Sequence, residues 1–291
     1  MPGALDKALL SLRGLSLGDA FGECFFHPQA VHWLSRRELP PAPWRWTDDT
    51  HMALSIVEVL REHGCIEVDA LAAAFARRFA EQPHRGYGAG AAHLLGKLIQ
   101  GADWREEAPR LFHGGSFGNG GAMRAAPIGG YFAGDPARAA GEARKAAMIT
   151  HHHPEGQAGA MAVAAGAAIA AMDSPPRGRD FLLAVAAYVP PGETREGILH
   201  AAEIPAQESK RAARELGTGQ RVSAQDTVPY CLWCAAHNLD AYEEALWQTV
   251  AGLGDRDTTC AIVGGIVALS AGEVPREWLR RREPLPPEFE R

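Results

Sequence analysis

The chain has 291 residues, 46% of them hydrophobic and 22% charged, with a formal net charge of −6. That length suits a large core, in one big domain or two small ones, and the acidic balance argues against nucleic acid as a partner. Five cysteines, Cys24, Cys65, Cys231, Cys234 and Cys260, form an odd, sparse set without disulfide-framework spacing, which fits a reducing cytoplasm.

The first residues, Met1 to Asp6, show no basic segment leading into an apolar core, so no signal peptide is expected. Leu9, Leu12, Leu15 and Leu17 recur near helical period over about residues 5–20. They run into Gly18-Asp19-Ala20-Phe21-Gly22-Glu23, where a Gly-flanked Asp past the leucine helix reads as a turn, though it also sets a carboxylate beside bare backbone. Pro28, Pro40, Pro41 and Pro43 make residues 27–46 an irregular loop. This loop delivers the chain to Trp46-Thr47-Asp48-Asp49-Thr50. Met52, Ile56, Val57 and Leu60 then predict a helix over 47–63 that stops near Gly64. A second, Ala-rich helix over 67–81 carries Leu71, Phe75 and Phe79. Arg85-Gly86-Tyr87-Gly88-Ala89-Gly90 breaks the pattern before another helix through Leu98.

Residues Gly114 to Gly121 hold five glycines in eight positions. Such a run lets backbone N–H groups come close to an anion, although it also suits a mobile linker. It is neither a Walker loop, lacking Gly-Lys-Ser/Thr, nor a dinucleotide fingerprint, lacking a preceding strand. Arg124 closes the segment, either to pair with phosphate or to be solvated. Next, Thr150-His151-His152-His153-Pro154 opens an Ala-rich helix with Pro154 as its first residue. Three adjacent histidines cannot share one centre, and no further ligand lies at zinc spacing, so one His donating to a ligand is the better reading. The Ala/Gly run Ala158–Met172 is too short to span a bilayer and reads as a buried helix.

Residues 173–179 and 189–194 read as Pro/Gly-rich loops, and 205–221 as a charged helix ending in Gly217-Thr218-Gly219. Two more helices follow over 227–238 and 241–251. Cys231-Leu232-Trp233-Cys234, with no second Cys pair, belongs to a helix core. Gly254-Asp255-Arg256-Asp257-Thr258-Thr259 then repeats the first acid cluster, ahead of Ile262, Val263, Ile266 and Val267. The tail Pro284-Leu285-Pro286-Pro287 reads as a surface arm. No strand pattern occurs anywhere, so the fold is expected to be all-α in one domain, residues 1–291.

One acid cluster at a helix start is ordinary capping. Two alike, some two hundred residues apart, point instead to a shared site, because four converging carboxylates repel one another unless cations lie between them. Hard carboxylate and hydroxyl oxygens select Mg²⁺ or Mn²⁺. A binuclear metal site is expected.

Gly18-Asp19-Ala20-Phe21-Gly22, Thr47-Asp48-Asp49-Thr50, Gly118–Arg124, Thr150-His151 and Asp255-Arg256-Asp257-Thr258, in this order, resemble the ADP-ribosylglycohydrolase family. The resemblance spans nearly the whole chain. Arg85–Gly90 with Gly115–Asn119 looks closest to the branch acting on serine-linked and polymeric ADP-ribose. It implies an all-α orthogonal bundle in which Thr47, Asp48, Asp49, Asp255, Asp257 and Thr258 bind two Mg²⁺ or Mn²⁺ ions. It further implies that Gly115, Ser116, Phe117, Gly118, Asn119, Gly120 and Gly121 hold pyrophosphate and ribose, with Tyr87, Gly88, Met123, Arg124 and His151 completing the substrate site. Two positions depart from the family pattern: Phe26 stands where a Glu is usual, the nearby acid being Glu23, and Arg256 replaces a small residue between the late aspartates.

Cleavage at the anomeric carbon of ADP-ribose develops oxocarbenium character, for which Asp48 or Asp49 would activate water and Glu23 would position or protonate. The expected substrate is an ADP-ribosylated protein or a small ADP-ribose conjugate, handled by a monomer away from any membrane. A nucleotide phosphohydrolase and a non-catalytic, crystallin-like relative are the alternatives.

Overall fold

The computed structural model describes residues 3–290. Met1, Pro2 and Arg291 lie outside the described residues, and with them both ends of the expected 1–291 domain and the start of the segment read as lacking a signal peptide. Among the described residues there are helices and no strand, only the isolated bridges Trp44–Arg282 and Gly118–Ser223. The expected all-α class holds. In chain order the helices are α1 (Ala4–Glu23), α2 (Ala30–Arg36), α3 (Asp48–His63), α4 (Val68–Glu81), α5 (Ala89–Ile99) and α6 (Trp104–Arg110). The short turns α7 (Gly120–Met123) and α8 (Ala126–Tyr131) lead to α9 (Pro136–Met148) and α10 (Pro154–Ala170). Then come α11 (Gly178–Ala186), α12 (Glu193–Ala201), α13 (Ser209–Leu216), α14 (Val228–His237), α15 (Tyr242–Val250), α16 (Arg256–Ala271) and α17 (Arg276–Leu279). No described helix is long and apolar enough to cross a membrane.

Two long helices, α1 and α16, form the axis, and glycine is the reason they touch. Gly14, Gly18 and Gly22 recur every four residues along one face of α1. A Cβ on them would collide with the backbone oxygens of Gly264, Cys260 and Arg256 in turn. The partners descend as the glycines ascend, so the helices run antiparallel with their backbones in contact. The end of α1 thereby meets the start of α16. Phe21 fixes that meeting: its ring lies 4.7 to 5.6 Å from those of Trp278, Phe25, Trp247 and Trp44. Asp19 sits two residues earlier, buried inside the helix rather than in the turn expected past it.

The stretch 27–46, expected to be irregular, contains α2, which buries Trp33. The tail is not a surface arm. Trp44 N–H donates to Arg281 O and Glu283 N–H to Trp44 O, both at 2.7 Å, while Leu285 and Phe289 are buried. Arg61 and Arg78 lie over the Phe289 ring, so a cationic, aromatic seam carries what the prolines suggested would be loose. The Ala-rich α10 is buried as expected, and Cys231, Cys234 and Cys260 are free thiols in the helical core.

Candidate active site

The Asp19 carboxylate joins the end of α1 to the start of α3. It accepts from the Thr47 N–H at 2.9 Å and the Thr50 N–H at 3.1 Å, and from the Thr50 hydroxyl. The Thr47 hydroxyl lies 2.9 Å from Asp19 Oδ1 and 3.1 Å from Asp49 Oδ2. The orphan donors of α3 are therefore met by Asp19 and Thr47, which leaves Asp48 and Asp49 without a capping duty. Antiparallel α16 brings its first turn to the same place. Carboxylate oxygens of Asp19, Asp49 and Asp257 lie within 4.8 Å of one another. Thr258 Oγ1 approaches Asp49 Oδ2 at 3.5 Å. Asp49 Oδ1 and Asp257 Oδ1 are buried with no hydrogen-bond partner.

Burial raises these carboxyl groups first, and like charge adds to it. The Asp19 carboxyl is pushed up to about 6 by burial, against the hydrogen bonds from Thr50 and Thr47. Asp48 rises to about 7 through burial and the neighbouring Asp19. Asp49 and Asp257 rise well above the ordinary range, by burial and then by their acid neighbours. Hard oxygens, crowded, buried and partly orphaned, fit a divalent cation.

Beside this floor opens a cleft of about 480 Å³, lined by Asp48, Asp49, Asp255, Asp257 and Thr258 and by Ser116 to Gly120. Asn119 ties the glycine loop to the acids, its Nδ2 donating to Asp255 Oδ2 at 2.7 Å. The loop also bridges to the 222–224 segment, where the Ala224 N–H donates to Phe117 O at 2.9 Å, so it is anchored on two sides. His151 closes the loop's underside, and a Cβ on Gly120 would come 2.9 Å from its Cε1. Burial first, then Arg124, hold the His151 imidazole down to about 3, so the ring is neutral.

Arg124 lines the cleft but is not solvated, because the protein's own groups engage its guanidinium. Its guanidinium is buried over Phe75, donating to Gly120 O at 3.0 Å, Ala146 O at 3.2 Å and Thr150 Oγ1 at 2.7 Å. The Thr150 hydroxyl, which accepts from Arg124, also hydrogen-bonds His151 Nδ1 at 2.8 Å. His151 Nε2 lies on the side of Gly118 and Gly120. Arg124 thus helps to orient the His151 ring through Thr150.

The other expected residues divide between the cleft and its surroundings. Gly88, Met123 and Phe117 line the cleft, but Tyr87 does not. Its hydroxyl is 2.9 Å from His51 Nδ1 and its ring packs on Phe79, because a half-buried phenol needs a polar partner. Gly115 backs onto His152 and His153, and Gly121 onto Gly156 O, so both support the loop from behind. Thr47 and Glu23 face a second chamber, which touches the cluster at Asp257. Glu23 is half-buried, its carboxyl raised by burial and then by Asp19 and Asp255. The two family departures meet: Arg256 lies 4.8 Å over the Phe26 ring and donates to Phe25 O at 2.7 Å. Sequence reasoning noted Asp19 without placing it in the site, and missed Phe112 and Val222. Both are exposed, line the cleft and hold positive φ. A positive φ in a bulky residue has no sequence signature.

The sequence profile of the ADP-ribosylglycohydrolase family matches residues 1–290. The chain belongs to the ADP-ribosylglycohydrolase family. It is accordingly a glycosidic hydrolase acting on ADP-ribose. An uncharacterized protein of Archaeoglobus fulgidus is 28% identical over 294 aligned residues, covering 94% of this chain and 90% of its own. The ADP-ribosylhydrolase ARH3 of Homo sapiens is 28% identical over 270 residues, 80% of this chain and 73% of the human one. A solved ADP-ribosylglycohydrolase-related protein complex shares the fold, with a TM-score of 0.68 and 23% identity over 97% of this chain and 94% of that one.

Proposed function

We propose that this chain removes ADP-ribose from a modified side chain or small acceptor, with two Mg²⁺ or Mn²⁺ ions held by Thr47, Asp48, Asp49, Asp255, Asp257 and Thr258, and by Asp19 beside them. The observation that carries the reading is the pair of buried, unpartnered oxygens, Asp49 Oδ1 and Asp257 Oδ1, at the floor of a cleft walled by a glycine loop. Bound divalent ions supply charge neutralisation and Lewis acidity at that floor. The protein's own groups do the rest. Backbone N–H groups of Ser116, Phe117 and Gly120 meet the pyrophosphate, and His151 Nε2 faces the ligand beside them. The exposed rings of Phe112 and Phe117 offer apolar faces to the adenosine. Asp48 or Asp49 takes the proton of the attacking water, and Glu23, across the floor, positions or protonates the leaving group.

The direct test is incubation with arginine-, serine- and ester-linked ADP-ribose substrates plus Mg²⁺, reading free ADP-ribose. Release from at least one is expected, and it should stop with EDTA. Failure to cleave any of them would sink the assignment.

The pH dependence of ion binding supplies an independent check. Asp19 and Asp48 rise from the ordinary 3.8 to about 6 and about 7 in the ion-free fold. The ion-free folded protein therefore holds protons that the unfolded chain has released, and its stability is lost as pH rises from about 4 through 7. Ions displace those protons, so their affinity grows over the same window. The rise in melting temperature on adding Mn²⁺ should be small at pH 5 and large at pH 8. A pH-independent rise would place the ions elsewhere.

A further inference from the structure

Against the carboxylates of Asp48, Asp49, Asp255 and Asp257, the cleft carries two arginines, Arg124 and Arg221. The Nη hydrogens of Arg124 already have protein acceptors in Met52 Sδ, Gly120 O, Ala146 O and Thr150 Oγ1. Arg221 is the opposite case. It is exposed, and its guanidinium has no hydrogen-bond or ion-pair partner among the described residues. Burial holds His151 neutral, so Arg221 is the one uncommitted cation among the described residues lining the cleft. Resting on the function proposed above, we infer that Arg221 is a specificity-determining residue, which pairs its guanidinium with the pyrophosphate of ADP-ribose and so selects diphosphate-bearing ribosides.

Placement is the first argument. Residues 217–227 run as a strap between the two halves of the site. On one side, Val222 O accepts from the Asn119 N–H at 3.3 Å and the Ala224 N–H donates to Phe117 O at 2.9 Å, which ties the strap to the glycine loop. On the other, Thr218 O accepts from the Asp255 N–H at 2.9 Å, and a Cβ on Gly219 would come 2.5 Å from Asp255 Cβ. Arg221 lies between these attachments. An ADP-ribose with its anomeric carbon at the acids and its pyrophosphate on the glycine loop passes this point. The strap is also firmly built. The Arg221 N–H donates to Asp226 Oδ2 at 2.7 Å, the Val222 N–H to Gly219 O and the Gly219 N–H to Asp226 O, both at 2.8 Å. Val222 is held at φ 52, a left-handed turn that disfavours a β-branched residue and persists only where its surroundings over-determine it. That turn leaves Arg221 and Val222 exposed on the cleft wall. Charge is the second argument. The pyrophosphate brings two negative charges into a cleft with an acidic floor, and backbone N–H dipoles offset only part of them. A guanidinium adds a full charge, and its planar fork matches two phosphate oxygens at once.

The test sets Arg221→Ala and Arg221→Lys against the unsubstituted chain at saturating Mg²⁺; the position is exposed, so neither disturbs the core. Calorimetric titration with ADP-ribose should show about tenfold lower affinity in Arg221→Ala, the scale of one charge-assisted contact, partly restored in Arg221→Lys. Adenosine, which has no phosphate, should bind all three proteins alike. Added salt should weaken ADP-ribose binding more in the unsubstituted protein than in Arg221→Ala, because the removed contact is a screened one. With a nitrophenyl ADP-riboside, kcat/KM should fall about tenfold in Arg221→Ala, through KM, since the pyrophosphate keeps its charge in the transition state. Unchanged ADP-ribose affinity in Arg221→Ala overturns the inference. So does an equal loss for adenosine, which would set Arg221 on the nucleoside, and so does a loss confined to kcat. An unsubstituted protein that binds ADP-ribose with this dependence yet cleaves no ADP-riboside sinks the proposed hydrolysis and leaves the inference standing. One that does not bind ADP-ribose sinks both.

Discussion

Replacing Asp257 by Asn is expected to abolish tight Mn²⁺ or Mg²⁺ binding in calorimetry and to lower ADP-ribose release by about 10²- to 10³-fold, the scale of losing one preorganised electrostatic contact. Asn keeps the shape of the side chain, so the loss reports charge rather than packing. A second result separates this reading from a structural one. Asp257 faces Asp19 and Asp49 within 4.8 Å, and one of its oxygens has no partner. Without ions, removing one of these charges relieves repulsion, so Asp257→Asn should melt higher than the unsubstituted protein in EDTA. With Mn²⁺ the order should reverse, because only the unsubstituted protein gains stability from the ion. Asp49→Asn should behave alike, since its Oδ1 is the other orphan oxygen. Undiminished ion binding in both variants, or lower melting in EDTA, would return these residues to a structural role.

Much of this site was legible in the sequence, because acid pairs at two helix starts leave a local pattern. The helix register that brings them together did not. Asp19 carries the reason: in the sequence it is one Asp between glycines, which suits a turn. In the fold, the same glycines let α1 continue against α16 and point Asp19 at the start of α3. Side-chain direction was equally hidden. Arg124 closes a phosphate-like glycine run, yet its guanidinium turns inward to Thr150 and Ala146. Tyr87 turns to His51 for the same reason, a polar head seeking a partner once its ring is covered. Helices α8 and α9 escaped notice because they bury mostly alanine and glycine, whose faces carry little periodic hydrophobic signal. The tail was misread because four residues of proline-rich sequence outweighed a single Phe289, the residue that anchors it.

The register itself can be tested at Gly18, where the smallest possible substitution should have one of the largest effects on stability. A helical glycine on the surface is a weak point, and Ala there stabilises by roughly 0.5 to 1 kcal/mol through helix propensity and a less flexible unfolded chain. Gly141, exposed in α9 with nothing near its added Cβ, should follow that rule, and Gly141→Ala should raise the melting temperature. Gly18 faces the opposite circumstance. Its added methyl would strike the Cys260 carbonyl, which is backbone and cannot rotate away. The collision is relieved only by separating α1 from α16, which the neighbouring contacts of Gly14 and Gly22 resist. Overpacking typically costs about 1 to 3 kcal/mol, and a clash with rigid backbone falls at the upper end, which outweighs the propensity gain. Gly18→Ala should therefore unfold at markedly lower urea concentration than the parent. Because the displaced helix carries Asp19, the surviving folded fraction should also bind Mn²⁺ more weakly. Wild-type stability in Gly18→Ala would mean that α1 and α16 are not in backbone contact, and that Asp19 reaches Thr47 by some other path.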